Sequence, residues 1–197
     1  MRWFTLLLIG CVSVQAAGAV INVPADHLTI QGAIAAAVNG DEIIVQPGTY
    51  VESIDFLGKA ITVRSTDPND IGVVLNTIID GTGFDHVVQC ISGEGPGTVL
   101  SGFVITGGNA NGGGFGNVGG GMLIINSSPT VTNTGFCNNT PDAITGDPII
   151  DGGGVSLLYC PPPPIPVPAS CPADINSDTN VNVTDLLALL GAWGACP

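Results

Sequence analysis

Only three cationic side chains, Arg2, Lys59 and Arg64, stand in a chain of 197 residues, against 16 Asp and Glu. The formal net charge is -13, and charged residues of both signs make up 10% of the chain, where about 25% is ordinary. Nucleic-acid binding draws on clustered Lys and Arg that displace counterions; the sequence has no such cluster, so nucleic acid is excluded as a partner. Docking on anionic lipid is excluded on the same ground. Long apolar runs are scarce as well: the N-terminal one, Trp3 to Val14, is too short to span a bilayer, and no other stretch is long enough. Hydrophobic residues still make up 45% of the chain, too many for a disordered polyelectrolyte. Glycine, at 29 residues, has about twice its usual share. The expectation is an acidic, Gly-rich, β-biased soluble domain with a small appendage.

The N-terminus reads as an address. Met1-Arg2 is a short cationic start, Trp3 to Val14 is apolar, and Ala17-Gly18-Ala19 fits a cleavage site. This is the layout of a secretory signal peptide over 1–19. Removing 19 of the 197 residues leaves 178, starting at Val20, and takes Arg2 with it, moving the net charge from -13 to -14. A second reading stays open. Leu8-Ile9-Gly10-Cys11 resembles the lipobox of bacterial lipoproteins, in which the cysteine is lipidated. Either way the expected location is outside the cell, secreted or on the cell surface. Export permits disulfides. Cys171 and Cys196 bracket a separate C-terminal unit and are expected to pair. Cys137 and Cys160 form a second candidate pair, with Cys90 left over as a small buried hydrophobe.

The segment 20–160 reads as one domain of short strands. One helix is expected over His27–Val38, where Ile30, Ala33, Ile34, Ala37 and Val38 share a face and Asn39-Gly40 ends the run. It is the one helix expected before the C-terminus. Short β-rich runs follow at 42–45, 60–63, 77–79, 87–90, 102–105, 122–125 and 130–132, separated by turn signals such as Pro47-Gly48, Asp80-Gly81 and Gly107-Gly108. Several are apolar at consecutive positions, as in strands covered on both sides. Stacked coils of a solenoid share one core in this way, with the helix capping the open end. About 140 residues at roughly 20–25 per coil give five or six coils.

The string Gly40-Asp41-Glu42-Ile43-Ile44-Val45-Gln46-Pro47-Gly48-Thr49-Tyr50, with Ile61-Thr62-Val63-Arg64-Ser65, Thr77-Ile78-Ile79-Asp80-Gly81 and Gly102-Phe103-Val104-Ile105-Thr106-Gly107-Gly108, resembles the coils of secreted right-handed parallel β-helix proteins, the pectin-lyase-like fold. The resemblance implies an all-β solenoid over residues 20–160. It leaves the chemistry open, because the fold hosts lyases, hydrolases and non-catalytic surface proteins. Lyases of the family use an acidic Ca²⁺ cluster with an Arg or Lys base on uronic polymers. Here Lys59 and Arg64 stand five residues apart in one coil, and a strongly acidic chain repels a polyanion. Family hydrolases carry paired aspartates with Gly-His-Gly and Arg-x-Lys strings, and neither string occurs. Asp80, Asp85 and His86 are the nearest approach to a carboxylate–imidazole group, so no catalytic residue is assigned. Gly114-Phe115-Gly116-Asn117-Val118-Gly119 matches a dinucleotide-binding string. The strand-like Met122-Leu123-Ile124-Ile125 follows it where a helix is required, so the segment reads as a Gly-rich loop.

Residues 161–170, Pro-Pro-Pro-Pro-Ile-Pro-Val-Pro-Ala-Ser, form a stiff polyproline linker about 30 Å long. Beyond it, 171–197 contains a twelve-residue loop with Asp174, Asn176, Asp178, Asn182 and Asp185 at positions 1, 3, 5, 9 and 12, and Asn180 at position 7 offering its carbonyl. This is the EF-hand ligand spacing, in which alternate residues of a tight loop supply the six to eight hard oxygens Ca²⁺ requires. Val181 is the apolar eighth position, and Leu186-Leu187-Ala188-Leu189-Leu190-Gly191-Ala192-Trp193 continues as an amphipathic helix. The pattern resembles a dockerin type I repeat. It departs from the family in carrying Thr179 where glycine is usual and in having a single repeat where cohesin-binding dockerins have two. A unit of this size is too small to fold on its core alone. The resemblance implies a calcium-binding attachment module whose partner is a cohesin-like or cell-surface protein. The reading is a secreted or cell-surface, non-catalytic β-helix protein with that module. The alternative is a glycoside hydrolase or pectate-type lyase of polysaccharides carried on the same tail.

Overall fold

The computed structural model describes residues 18–83, 85–111 and 115–155. The chain divides into two units, Met1–Cys160 and Pro161–Pro197, and the described residues belong to the first. The linker, the Cys171–Cys196 pair and the loop Asp174–Asp185 lie outside them, as do Cys160 and the segment 1–17.

Fourteen short strands form three parallel sheets. The first holds β1 (Val20–Val23), β2 (Glu42–Val45), β5 (Thr62–Ser65), β8 (Val99–Ser101), β11 (Thr130–Thr132) and β14 (Ile150–Asp151). The second holds β3 (Gly48–Val51), β6 (Thr77–Asp80), β9 (Val104–Thr106) and β12 (Gly135–Cys137). The third holds β4 (Ile54–Asp55), β7 (Val88–Cys90), β10 (Met122–Ile124) and β13 (Ile144–Gly146). From β2 onward each turn of the chain contributes one strand to each sheet in the same order, which is the connectivity of a β-solenoid. The strands from β2 to β13 complete four coils. Successive coils take 22, 20, 37, 31 and 20 residues, read from the pairs Val20–Glu42, Glu42–Thr62, Thr62–Val99, Val99–Thr130 and Thr130–Ile150. These rises depart from the expected roughly 20–25 residues where insertions lengthen the coils that begin at β5 and β8.

Stacking places like residues in ladders. Ile43, Val63, Leu100 and Val131 follow one another in register inside the first sheet, and all are fully buried. Ile79, Ile105 and Phe136 do the same in the second, and Ile54, Val88 and Met122 in the third. Each such side chain contributes about 1.5–3 kcal/mol by leaving water, and all of them belong to one core shared along the stack. Short strands thus gain stability only from the stack.

The expected helix is present but shorter. Helix α1 spans Ile30–Ala36, with the Thr29 side chain accepting from the Gly32 amide at 3.1 Å. Ile30, Ala33, Ile34 and Ala37 are buried against the first coil, whereas Val38, placed on the same face by periodicity, is 65% exposed. The reason is that Ala37 is already extended, so the chain leaves the helix before Val38. A second helix, α2 (Ile71–Leu75), was not expected. It is five residues long, begins on the Asp70 cap and follows the turn signal Asp67-Pro68-Asn69-Asp70, too short a run for periodicity to register. The strand expected at 60–63 lies two residues later. The one expected at 102–105 is split by Gly102, whose φ of 82° makes a corner. There a Cβ would fall on Ser65 and Pro68. Among the described residues no helix is long and apolar enough to cross a membrane.

Candidate functional site

The six residues expected to bind Ca²⁺ (Asp174, Asn176, Asp178, Asn180, Asn182 and Asp185) all lie outside the described residues. Among the described residues no group of three or more His, Cys, Asp or Glu is placed to hold a metal ion. What is described are the cations, the Asp80–His86 turn and the grooves.

Lys59 sits in the turn between β4 and β5. Its ammonium donates to the carbonyls of Ile34 at 2.6 Å, Ala35 at 2.9 Å and Ala37 at 2.8 Å. The last carbonyls of a helix have no partner within it and carry its negative dipole end, so the lysine closes α1 from below. Arg64 projects from β5, where its Nε donates to Glu42 at 2.6 Å and one terminal nitrogen to the carbonyls of Ser65 and Thr66. Sequence spacing places these two cations in one coil but gives no sign of these partners, because the lysine's are 22 to 25 residues away.

Asp80 closes β6, and its carboxylate accepts from the Thr82 amide at 2.8 Å, holding a turn in which Thr82 and Gly83 have positive φ. His86 is 1% exposed. Its Nδ1 lies 2.9 Å from the Gly119 carbonyl, its Nε2 lies 3.1 Å from Asp85 Oδ1, and Phe115 covers it at a ring-centroid distance of 5.9 Å. Asp80 is thus a turn residue, and His86 is buried beneath the Gly-rich arm. The arm runs into β10 rather than a helix, in keeping with its reading as a loop.

Two grooves flank α2 on the outer face of the second sheet. In that face Thr49, Ile78, Val104 and Gly135 follow one another in register. The larger groove, about 540 Å³, lies between α2 (Ile71, Val74, Leu75) and Val104, with Asn69 and Asn133 at its rim. Asn133 donates its amide to Asn69 Oδ1 at 3.2 Å. The smaller, about 510 Å³, includes Asp70 and Asn76. Among the described residues no titratable side chain lines the larger one, and its wall is mostly apolar.

Sequence reasoning missed Glu94. It is 2% exposed and accepts from the Gly58 amide at 2.7 Å, the Ser92 amide at 2.8 Å and the Ser127 hydroxyl at 2.9 Å. Burial alone pushes the carboxyl up, but these hydrogen bonds outweigh it and hold it below the ordinary value. One carboxylate so joins the turns after β4, β7 and β10. Set against family models, curated proteins and solved structures, the chain matches none of them.

Proposed function

We propose that this chain is a secreted or cell-surface protein that binds rather than reacts. In this reading it is a right-handed parallel β-helix of the pectin-lyase-like kind, carrying a calcium-binding, dockerin-like attachment unit at its C-terminus. The observation that supports the non-catalytic half is the employment of Lys59 and Arg64. An enzyme acting on uronic polymers needs cations facing its substrate and a base beside the reacting carbon. Here the lysine ammonium is bound to three helix carbonyls and the guanidinium to Glu42 and its own corner. The titratable residues nearest to a catalytic group, Asp80 and His86, hold a turn and a loop.

The calcium half rests on the spacing of Asp174, Asn176, Asp178, Asn180, Asn182 and Asp185. Export rests on residues 1–19, whose removal ends immediately before β1 and takes away no described strand or helix.

Calorimetry with Ca²⁺ on the full chain tests the attachment unit. Saturable binding that disappears in Asp174→Ala is expected, and no binding by the wild type would sink that half. A screen for sugar release or unsaturated product on neutral and uronic polysaccharides tests the other. Turnover that Asp80→Ala abolishes would restore the polysaccharide-enzyme reading. The mass of the mature N-terminus distinguishes a chain starting at Val20 from one lipidated at Cys11.

A further inference from the structure

The geometry points to His86 as a pH-sensitive latch that holds the Gly-rich arm Phe115–Gly121 on the second coil only while its ring carries two protons. The turn between β6 and β7 lies under this arm. The amides of Val87 and Val88 donate to the carbonyls of Gly120 and Gly121, each at 3.0 Å, and His86 reaches the same strand of backbone through Gly119. A carbonyl has no proton to give, so Nδ1 is the donor in the 2.9 Å bond to Gly119. That fixes one proton.

The other nitrogen decides the state of the ring. Nε2 faces Asp85 Oδ1 at 3.1 Å, and both atoms are buried without a hydrogen-bond partner. A neutral ring with its proton on Nδ1 presents a lone pair at Nε2, and an ionised carboxylate is an acceptor only. Two acceptors would then face one another out of water, an arrangement folded proteins avoid. A second proton converts it into an ion pair. A neutral imidazole can serve Gly119 or Asp85 but not both.

The surroundings favour the cation. Phe115 lies tilted against the ring at 52° and covers it. The titratable groups on the elements around the ring are Asp85 on its own turn, Asp80 at the start of that turn, and Asp142 on the fourth coil. The backbone carbonyl of Asp142 accepts from the Gly121 amide. All three are acids, while Lys59 and Arg64 are bound at α1 and in the first sheet. Removal of the Nε2 proton restores the facing acceptors. The neutral ring relieves them by turning its one N–H to Asp85, so Gly119 loses its donor and the arm loosens. The latch is closed at low pH and opens as pH rises.

The test uses the full chain labelled with ¹⁵N-histidine, with His86→Gln assigning the two histidines. At about pH 5.5, below the ordinary histidine range near 6.5, both His86 nitrogens should report as protonated. Hydrogen exchange at Val87, Val88 and Gly121, corrected for its intrinsic pH dependence, should quicken about fivefold to tenfold as the ring deprotonates, the equilibrium worth of roughly one hydrogen bond. Asp85→Asn offers Nε2 an amide that satisfies a neutral ring, so in that variant the arm should stay protected throughout. An Nε2 without its proton at about pH 5.5 in the folded chain would overturn the proposal and place the proton on Asp85. Arm protection in the wild type that does not change across the histidine transition would also overturn it.

Discussion

Replacing Lys59 by Met asks whether the lysine is a structural cap or a reacting group. Methionine keeps most of the aliphatic stem and its packing and removes the ammonium. Of the three carbonyls it serves, those of Ile34 and Ala37 are partly shielded and that of Ala35 faces solvent. Water replaces the last at little cost. A hydrogen bond from a charged group is worth about 1.5–3 kcal/mol, and the two shielded bonds share one side chain. Ordering that lysine offsets part of their gain, by up to about 2 kcal/mol. The net loss is therefore about 2–3 kcal/mol. Helix α1 has seven residues, too few to persist alone, so the loss falls on the cap of the whole stack.

In urea the midpoint should drop with an unchanged slope, and Tm should fall by about 5–10 °C for a domain of this size. Exchange should quicken first in α1. At the other end of the helix, Glu52 accepts from the amides of Ile30 and Gln31 at 2.9 and 2.8 Å. Glu52→Gln combined with Lys59→Met should therefore cost less than the two changes summed, because both release the same element. A change in stability below about 0.5 kcal/mol, the scatter of an ordinary surface substitution, would refute the capping argument. A lost activity with stability intact would mean that the lysine reacts.

Glu94→Gln should destabilise by about 2–3 kcal/mol, since the amide that replaces one oxygen cannot accept from the donors around it; chemical denaturation measures it. Glu94, Asp26 and Asp41 are all held below their ordinary values by hydrogen bonds. Their stabilisation is complete above the unfolded carboxylate range and is lost as pH falls through the lower folded values. The urea midpoint should accordingly be level near neutrality and fall on acidification, less steeply in Glu94→Gln. Gly120→Ala places a Cβ on the Thr140 carbonyl and should cost several kcal/mol or displace the arm, whereas Gly83→Ala, with open space but a φ of 81°, should cost about 1–2 kcal/mol of backbone strain. Burial, followed by the charges of Glu94 and Asp55, pushes the Cys90 thiol far up. Labelling of Cys90 by a thiol reagent, read by mass spectrometry of its peptide, should therefore wait for unfolding; rapid labelling of the native chain would contradict its place in the core.

The repeated apolar runs made the stacked strands legible, because buried positions within one short run, such as Ile43 and Val45, leave a pattern within a few residues. The capping helix was legible for the same local reason. Coil length was not, since nothing near α2 or in the Phe115–Gly121 arm says that both belong to coils already begun. Glu94 was hidden because its donors, Gly58 and Ser127, lie 36 and 33 residues away, and only the stacking register brings them together. The candidate site divides in the same way. The oxygen spacing on which the calcium proposal rests is local to positions 174–185, outside the described residues. The neighbours of His86 are Gly119 and Phe115, which sequence spacing cannot pair with it.

The acidic excess also takes its meaning from the corners. Thirteen of the 16 acids fall among the described residues. Nine of these, Asp26, Asp41, Glu52, Asp55, Asp67, Asp70, Asp80, Glu94 and Asp151, accept hydrogen bonds from backbone amides. A solenoid turns a corner two or three times per coil, and a corner, often with a residue at positive φ, leaves amides that no neighbouring strand can satisfy. Lysine and arginine have no acceptor to offer them, whereas Asp and Glu have two oxygens each. Corners therefore select carboxylates, and among the described residues the carbonyls at the end of α1 and at the Ser65–Thr66 bend take the cations Lys59 and Arg64. On this argument a large part of the net charge follows from folding rather than from a charged partner. Adding Lys or Arg at exposed strand positions should leave the fold intact, whereas neutralising corner acids should weaken it.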